Sequence, residues 1–343
     1  MKKLDYTFRI AIIAFCLISG LTSYSQGTAT IYGQLKGVIN PFLNISYVTA
    51  EVDHWGAGDG MQYRDGRFSY EIPIAYRYKL AKLECDGIFA DLVLIPGSNL
   101  EVDISAIQHH KDIICKGKGA AMANFAAHHT LDMDLLEYYP RYAYRICDQS
   151  PQDYIKALNE VLSNEVKYLE NHLDGLDSAF VGFWITYLNY SRYTNLLTYP
   201  KFHQKKAKLS MDLNEIPIDL LAIVDSVPEI YDDALLELPP YQEYIKNIIP
   251  NKIALEYRRA GKVLPTDSFN LIYQQIIVHM PPKSAAYAIG FDIMYFSSTW
   301  NLDRARTSLN EYKKLFPGNK KISVFEKFLA ERKEDLLRKE VTK

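Results

Sequence analysis

The sequence has few cysteines, and none of them are paired at the spacing of a redox centre. Cys16, Cys85, Cys115 and Cys147 are the four cysteines of the 343-residue chain, and no Cys-x-x-Cys occurs. Dithiol exchange needs an attacking thiol of low pKa and a resolving partner, which that motif normally supplies. The spacing therefore predicts no catalytic dithiol within this chain.

Strong net charge, a second long apolar run and known catalytic motifs are also missing. The chain carries 39 basic and 41 acidic residues, a net charge of -2, so it lacks the excess of basic residues that indicates nucleic-acid binding. After the N-terminus no run of 18 apolar residues predicts a transmembrane helix. No Gly-x-Ser-x-Gly or kinase signature occurs, so we predict a chain that is not an enzyme and needs no cofactor.

The N-terminus has the order of a secretory signal. Lys2, Lys3 and Arg9 precede a short apolar stretch, residues 10–18, which small residues follow up to Ser25. A transmembrane helix needs about 20 apolar residues, so this stretch is too short to span a bilayer. We predict a signal peptide at residues 1–25 and an exported protein of the periplasm or cell envelope. A buried first helix is the alternative.

Cys16 suggests a lipoprotein, but the residue before it is the bulky Phe15, where a lipidation site needs a small side chain. Signal cleavage would leave Cys85, Cys115 and Cys147. These thiols could form one disulfide and leave one thiol free, or all three could serve as small buried hydrophobes. Cys85 and Cys115 alternate with apolar neighbours, which favours burial in a core.

Short apolar alternations bounded by turn residues fill the chain up to Cys115, which is typical of β-structure. Asp65-Gly66 predicts a hairpin turn, and Pro96-Gly97 predicts a second turn. The predicted strands cover residues 29–35, 43–50, 67–74, 78–85, 88–95, 99–105 and 111–116. Seven strands at this spacing predict an antiparallel β-sandwich.

From Gly119 onwards the apolar spacing becomes helical, and prolines divide the helical stretches. A helix is predicted from Pro151, and further helices at residues 178–196, 214–225, 240–260, 267–279, 284–298, 302–315 and 321–340. Pro200 is among the predicted separators. The fold class is therefore α+β, with a β-sandwich domain at residues 26–118 and an all-α domain at residues 119–343.

The segment CKGKGAAMANF, residues 115–125, lies between these two regions. Glycines and lysines before a helix would suit a phosphate, because helix N-terminal amides attract anions. However, Lys116 and Lys118 are not followed by the Ser or Thr of a Walker loop, and a third glycine is missing. We therefore predict that the glycines turn the last strand into the first helix.

Histidine pairs and an aromatic loop are further candidate sites. His109-His110 and His128-His129 could bind a metal, and His128 shares a helix face with Asp132, but no third ligand follows at a recognisable spacing. Hydrogen-bonded or solvated histidines are the favoured interpretation. Trp55, in a glycine-rich loop at residues 53–60, could bind a sugar or peptide, or could pack against the sheet.

Tyrosines form two groups. Residues 138–145 (YYPRYAYR) could line a groove, because tyrosine and arginine are common interface anchors. Phe183, Trp184, Tyr187, Tyr190 and Tyr193 follow helical spacing and are predicted to be core. The residues predicted to contact a partner are Trp55, Asp53, Asp59, Lys116, Lys118, Tyr138, Tyr142 and Arg145.

The order of YGQLKG at 32–37, DGRFSYEI at 65–72, LVLIPGSNLEVDI at 92–104 and CKGKGAAMANF at 115–125 resembles the N-terminal half of exported bacterial thioredoxin-like disulfide reductases. The resemblance covers residues 28–130 well and the helical remainder more loosely. It implies a β-sandwich, a helical segment and then a thioredoxin domain. No residue of this chain matches the family's Trp-Cys-x-x-Cys, so we expect that domain to be absent.

These observations predict a non-catalytic recognition or scaffolding protein of the envelope. Its partner would be a peptide or glycan, or a separately encoded thioredoxin-like protein. The alternative is an accessory role in thiol-disulfide exchange through a free cysteine or with such a partner.

Overall fold

A computed structural model describes residues 27–34, 43–52, 55–57, 62–64, 66–85, 88–103, 113–131, 135–136, 141–265 and 268–341. The predicted signal peptide lies outside these residues, as do His109, His110 and Asp132. Strands come first in the chain and helices follow, so the α+β class is confirmed.

The described residues form nine strands. They are β1 (Gly27–Gln34), β2 (Leu43–Val48), β3 (Trp55–Ala57), β4 (Gln62–Arg64), β5 (Arg67–Ile74), β6 (Lys79–Cys85), β7 (Ile88–Leu94), β8 (Asn99–Asp103) and β9 (Cys115–Lys118). The predicted Asp65-Gly66 hairpin is confirmed, since Arg64 pairs with Arg67 and Gly66 has a φ of 76°. The predicted Pro96-Gly97 turn is also confirmed, with Gly97 at a φ of 74°.

The strands form two sheets, one of five strands in the order β4-β5-β1-β8-β9 and one of four in the order β3-β2-β6-β7. Most pairs are antiparallel, but β1 and β8 run parallel, so the prediction of purely antiparallel pairing was wrong. A parallel pair needs a long crossover connection, and residues between Gln34 and Asn99, including the whole second sheet, provide it.

The buried apolar side chains that alternate along the strands belong to one hydrophobic core. Ile31 of β1, Ile72 of β5 and Leu100 of β8 are fully buried and belong to the same hydrophobic cluster as Ile45 and Leu92 of the other sheet. Removing such surface from water contributes about 25 cal/mol for each Å² buried. The inward-facing residues of both sheets therefore share a single core.

Helices follow the strands in the described part of the chain. They are α1 (Ala120–Ala127), α2 (Arg141–Arg145), α3 (Pro151–Asn171), α4 (Ser178–Lys206), α5 (Ile218–Leu221), α6 (Pro239–Arg259), α7 (Phe269–His279), α8 (Pro282–Ser298), α9 (Leu302–Leu315) and α10 (Lys321–Val341). None of these helices, within the described residues, is both long and apolar enough to cross a membrane.

Two helix predictions need correction. Pro200 does not end a helix but lies inside α4, where residues 196–200 are all buried, so packing outweighs the missing backbone donor. The stretch predicted as one helix at 214–225 contains only α5 and a 3₁₀ turn at Ala222–Ser226. The predicted starts at Pro151 and near Pro240 are confirmed, because proline is well tolerated in a helix's first turn.

The chain divides into two compact units. Of the described residues, the first unit contains those up to Thr49, those between Trp55 and Asn195, and Glu237–Tyr241. The second contains Leu196–Leu236, the described residues from Gln242 onwards and a short piece beginning at Ala50. The division does not fall at Gly119, because α1, α2, α3 and most of α4 group with the strands.

A buried ion pair belongs to the first unit. Lys79 Nζ of β6 lies 2.7 Å from Glu237 Oε1 and donates to the carbonyl of Val48 at 3.2 Å. The same ammonium lies 5.1 Å from the ring centre of Tyr47. Burial raises the pKa of Glu237, although Lys79 opposes that shift. The pair explains why residues near Glu237 group with strands that are distant in sequence.

Candidate functional site

Several residues predicted to contact a partner cannot be placed. Asp53, Asp59 and Tyr138 lie outside the described residues. Trp55 begins β3 and pairs with Val48, so the loop predicted at 53–60 contains a short edge strand, whose backbone alone is described. Tyr142 lies in α2, and Arg145 is the exposed last residue of that helix.

Lys116 and Lys118 lie on β9, at the edge of the five-stranded sheet, and both are exposed. Lys116 is directly opposite Glu101 of β8, and Lys118 is opposite Asn99. Opposite charges facing each other across an antiparallel pair stabilise it modestly. The two lysines therefore belong to a face of the sheet rather than to a phosphate loop.

The strand registers extend this face across β5, β1, β8 and β9. Two cross-strand rows are formed, one by Ser69, Tyr32, Glu101 and Lys116, and the other by Glu71, Thr30, Asn99 and Lys118. All eight side chains are partly or fully exposed, and we call this set the outer face. It combines two cations, two carboxylates, one tyrosine and three short polar groups.

The glycines after β8 have the predicted turning role, and that prediction is confirmed. Gly117 and Gly119 have φ values of 98° and 93°, in the left-handed region that side chains with a Cβ rarely adopt. A Cβ on Gly117 would lie 2.2 Å from the carbonyl oxygen of Asn99. Glycine at 117 thus lets β9 approach β8 before the chain turns into α1.

The helix that follows closes the edge of this sheet. Asn124 of α1 accepts from the backbone N–H of Cys115 at 2.7 Å and donates to the carbonyl of Cys115 at 2.9 Å. An amide side chain bound in this way occupies the hydrogen-bonding groups that a further strand would use. Exposed strand edges invite unwanted pairing, so Asn124 protects β9 at this position.

Immediately after α1, two buried carboxylates hold the chain. His129 Nε2 lies 3.0 Å from Asp91 Oδ2 of β7, and the same oxygen accepts from the backbone N–H of Leu135 at 3.1 Å. Glu165 of α3 accepts from the backbone N–H of Thr130 at 2.8 Å and from its hydroxyl at 2.5 Å. The segment after α1 is thus bonded to β7 on one side and to α3 on the other.

Glu165 also orients the aromatic core. Its second oxygen accepts from Trp184 Nε1 at 3.1 Å, and the Trp184 ring packs at 5.0 Å, edge to face, on Phe125. Burial raises the pKa of Glu165, while the Thr130 and Trp184 hydrogen bonds and nearby His129 act in the opposite direction. Trp184, Tyr187 and Tyr190 are buried, which confirms the core prediction for these three, whereas Phe183 and Tyr193 are only partly buried.

All three cysteines predicted for the mature chain are buried and free of disulfides. Burial of Cys85 and Cys115 was predicted from alternation and is confirmed. Burial raises the pKa of the Cys115 thiol to about 12, against an ordinary value of 9.0. Cys147 Sγ lies 3.0 Å from the carbonyl oxygen of Tyr144. Because the thiolate is the nucleophile, these surroundings oppose thiol chemistry.

The second histidine pair is hydrogen-bonded, as predicted. His128 Nδ1 lies 2.7 Å from the carbonyl oxygen of Asn124, and His129 is held by Asp91. Within the described ranges no three His, Cys, Asp or Glu side chains gather in a way that could hold a metal ion. Asp132, predicted to share a face with His128, is outside those ranges.

Sequence reasoning found Lys116 and Lys118 but missed the residues beside them. Tyr32, Glu71 and Glu101 lie on predicted strands, at positions that alternate with apolar residues. Because successive side chains of a strand point to opposite faces, this alternation could have predicted that they face solvent. The alternation within a strand does not predict which strands pair with each other. Searches against protein-family models, curated proteins and solved structures found no match to this chain, so its function has to be inferred from its own residues.

Proposed function

We propose that this chain is a non-catalytic exported envelope protein that recognises a peptide or glycan through the outer face. The exposed outer face is the single observation that carries the proposal. Its Tyr32 is of a kind enriched at binding hot spots, its cations Lys116 and Lys118 can donate hydrogen bonds to a polar partner, and Glu71 and Glu101 balance their charge. Such a mixed surface suits a polar partner rather than a strongly anionic one.

The proposal includes a β-sandwich as the scaffold of the outer face. The two sheets contribute inward residues to one hydrophobic cluster, and α1 adds Ala123 and Ala127 to it. A rigid two-sheet scaffold holds exposed side chains in fixed rows, which lowers the entropy lost on binding. The resemblance of residues 28–130 to thioredoxin-like disulfide reductases supports export and recognition as the shared part of the role.

An accessory role in thiol-disulfide exchange is the other function that the sequence suggests. The surroundings of the cysteines weigh against it, since Cys85, Cys115 and Cys147 are all buried. A separately encoded thioredoxin-like protein is still a partner that the outer face could bind. Its binding would use the sheet surface and would require no cysteine of this chain.

Photo-crosslinking in cells tests the proposal. A photoreactive residue at Tyr32 or Lys118 is expected to capture a partner, whereas the same residue at Lys156 or Lys167, exposed on α3, should not. The charge reversal Lys116→Glu with Lys118→Glu should abolish capture at Tyr32 while the protein stays folded, with a modest loss of thermal stability because position 116 faces Glu101. Equal capture at both surfaces, or capture that survives charge reversal, would contradict recognition by the outer face.

A further inference from the structure

Two surface loops of the second compact unit expose large apolar side chains. The first loop follows α4 and covers residues 207–217, and the second follows α6 and covers residues 260–265. Leu209 is 59% exposed, Met211 48% and Val263 72%. Large apolar side chains gain free energy when they leave water, so two loops that expose three of them together mark an interaction surface.

Asn214 joins the two loops. Its side chain accepts from the backbone N–H of Leu264 at 2.7 Å and donates to the carbonyl oxygen of Leu264 at 3.0 Å. Arg258, in the last turn of α6, donates to the carbonyl oxygen of Asn214. Val263 is the chain neighbour of Leu264, so the exposed side chains of both loops project from one hydrogen-bonded structure. We call residues 207–217 and 260–265 the docking loops.

Both docking loops leave their helices in the same way. The backbone N–H groups of Leu209 and Lys262 each donate at 2.9 Å to a carbonyl five residues earlier in the chain. The residues just before them, Lys208 and Gly261, have left-handed φ values of 59° and 67°. This arrangement is the Schellman motif, in which the residue at the position of Leu209 frequently packs on its own helix. Leu209 instead projects into solvent from a fixed backbone.

Cations flank the exposed apolar side chains. Lys208 directly precedes Leu209, and Lys262 directly precedes Val263. Asp212 is engaged within its own turn, where its Oδ1 accepts from the backbone N–H of Asn214 at 2.9 Å. Over residues 205–215 and 260–265 the exposed charged side chains are Lys205, Lys206, Lys208, Lys262, Asp212 and Glu215. Cations therefore outnumber carboxylates around the apolar side chains, and the surface complements a negative partner.

We propose that the docking loops bind the surface of an anionic lipid bilayer. Leu209, Met211 and Val263 enter the boundary between headgroups and acyl chains, and the lysines beside them attract the lipid phosphates. The aliphatic stem of a lysine lets its ammonium stay at headgroup level while the apolar side chains go deeper.

The flanking lysines favour a lipid surface over a protein partner, because lysine is depleted at protein–protein interfaces. Such docking needs no membrane-spanning helix, and none is present among the described residues. The docking loops lie in the second unit, so this proposal does not depend on recognition by the outer face.

Co-sedimentation with vesicles tests the docking loops, using the chain from Gln26 onwards so that the apolar residues 10–18 cannot bind lipid themselves. Vesicles of phosphatidylethanolamine with phosphatidylglycerol should bind the protein, and vesicles of phosphatidylcholine alone should bind it far more weakly. Binding to the anionic vesicles should fall as ionic strength rises, because salt screens the attraction between exposed charges. Equal binding to both kinds of vesicle would contradict the role of the lysines.

Two pairs of substitutions separate the cationic from the apolar contribution. Lys208→Gln with Lys262→Gln should weaken binding to anionic vesicles roughly twentyfold, since each lysine near such a surface contributes about fivefold. The matched control, Lys320→Gln with Lys333→Gln, removes two lysines that are exposed elsewhere in the second unit and should leave binding unchanged.

Leu209→Ser with Val263→Ser should weaken binding about tenfold or more, because two apolar side chains no longer leave water. Ile230→Ser with Val278→Ser is the matched control, since both side chains are exposed in the second unit outside the docking loops. All four positions are on the surface, so the variants should remain folded.

A fluorescent label reports insertion directly. Because Cys85, Cys115 and Cys147 are buried, an environment-sensitive dye should react with the new thiol of Met211→Cys. Its emission should shift to shorter wavelength on anionic vesicles, and the emission of the same dye at Val278→Cys should not. A shift at both positions, no vesicle binding, or equal binding by the variants and their controls would overturn the proposal. So would dimerisation without vesicles that Leu209→Ser with Val263→Ser abolishes, because the loops would then join two copies of the chain.

Discussion

The side chain of Asn124 forms two hydrogen bonds with the backbone of Cys115: it accepts from the N–H at 2.7 Å and donates to the carbonyl oxygen at 2.9 Å. An amide thereby replaces one residue of a neighbouring strand at the edge of the five-stranded sheet. This pairing fixes α1 against β9 and leaves the alternate residues, Lys116 and Lys118, exposed on the outer face.

Replacing Asn124 with alanine should destabilise the first unit. Both backbone groups of Cys115 lose their partner while Cys115 itself is buried, so the cost should be about 2 kcal/mol. Chemical denaturation followed by circular dichroism measures it. Asn164→Ala, on the exposed side of α3, should change the free energy of unfolding by less than about 0.5 kcal/mol. An equal loss of stability in Asn124→Ala and Asn164→Ala would show that the hydrogen bonds between Asn124 and Cys115 contribute nothing.

Replacing Glu165 with glutamine should cost about 2 kcal/mol or more, because the new amide directs N–H groups at Thr130 or Trp184, which are donors. The carboxyl pKa is raised on folding above its ordinary 4.5. Its contribution to stability is therefore complete below pH 4.5 and is lost as the pH rises through the raised value. The difference in free energy of unfolding between wild type and Glu165→Gln should therefore become smaller as the pH rises through that value.

Denaturation curves between pH 4 and pH 8, followed by circular dichroism, measure this difference. Glu160→Gln, exposed on the same helix, is the matched control and should show no such trend. A wild-type advantage that grows with pH would mean that ionised Glu165 is the stabilising form, contrary to the raised pKa.

Cys115 gives a second pH dependence, at the alkaline end. Its folded pKa of about 12 exceeds the ordinary 9.0, so stability is unaffected below pH 9 and is lost between pH 9 and pH 12. The loss should approach about 1.4 kcal/mol for each pH unit. Because Cys115→Ala lacks the thiol, its free energy of unfolding should fall less steeply there. If the free energy of unfolding fell equally steeply with pH for wild type and Cys115→Ala, the raised pKa would be contradicted.

Export predicts a defined mature N-terminus. Intact-mass analysis of the protein recovered from the cell envelope should match a chain that begins at Gln26. Retention of residues 1–25, or recovery from the cytoplasm, would contradict the predicted signal peptide. Replacing Ile13 with arginine should block export, because it interrupts the apolar segment.

The sequence predicted most strands and helices because their periodicity is local. Ile31 and Ile72 alternate with partly or fully exposed neighbours, and Tyr154 and Leu158 recur at helical spacing. The sequence of each element therefore indicates which of its sides is buried. Helix continuation through Pro200 could not be predicted, because it depends on tertiary burial of the surrounding turn. Local rules describe the cost of an internal proline but not the packing that offsets it.

The candidate sites were harder to predict because they depend on which strands and helices are neighbours. Lys116 stood out beside two glycines, but Tyr32 joins it only through the parallel pairing of β1 with β8.

The central claim is that this protein acts through its surface and not through its thiols. Thiol titration with Ellman's reagent on the chain from Gln26 onwards tests it most directly. At pH 8 only about one part in ten thousand of Cys115 is thiolate, given a pKa of about 12. We predict no fast-reacting thiol in the native protein and three in denaturant. A thiol of the native protein that reacts at once, together with catalysed insulin reduction, would contradict the claim.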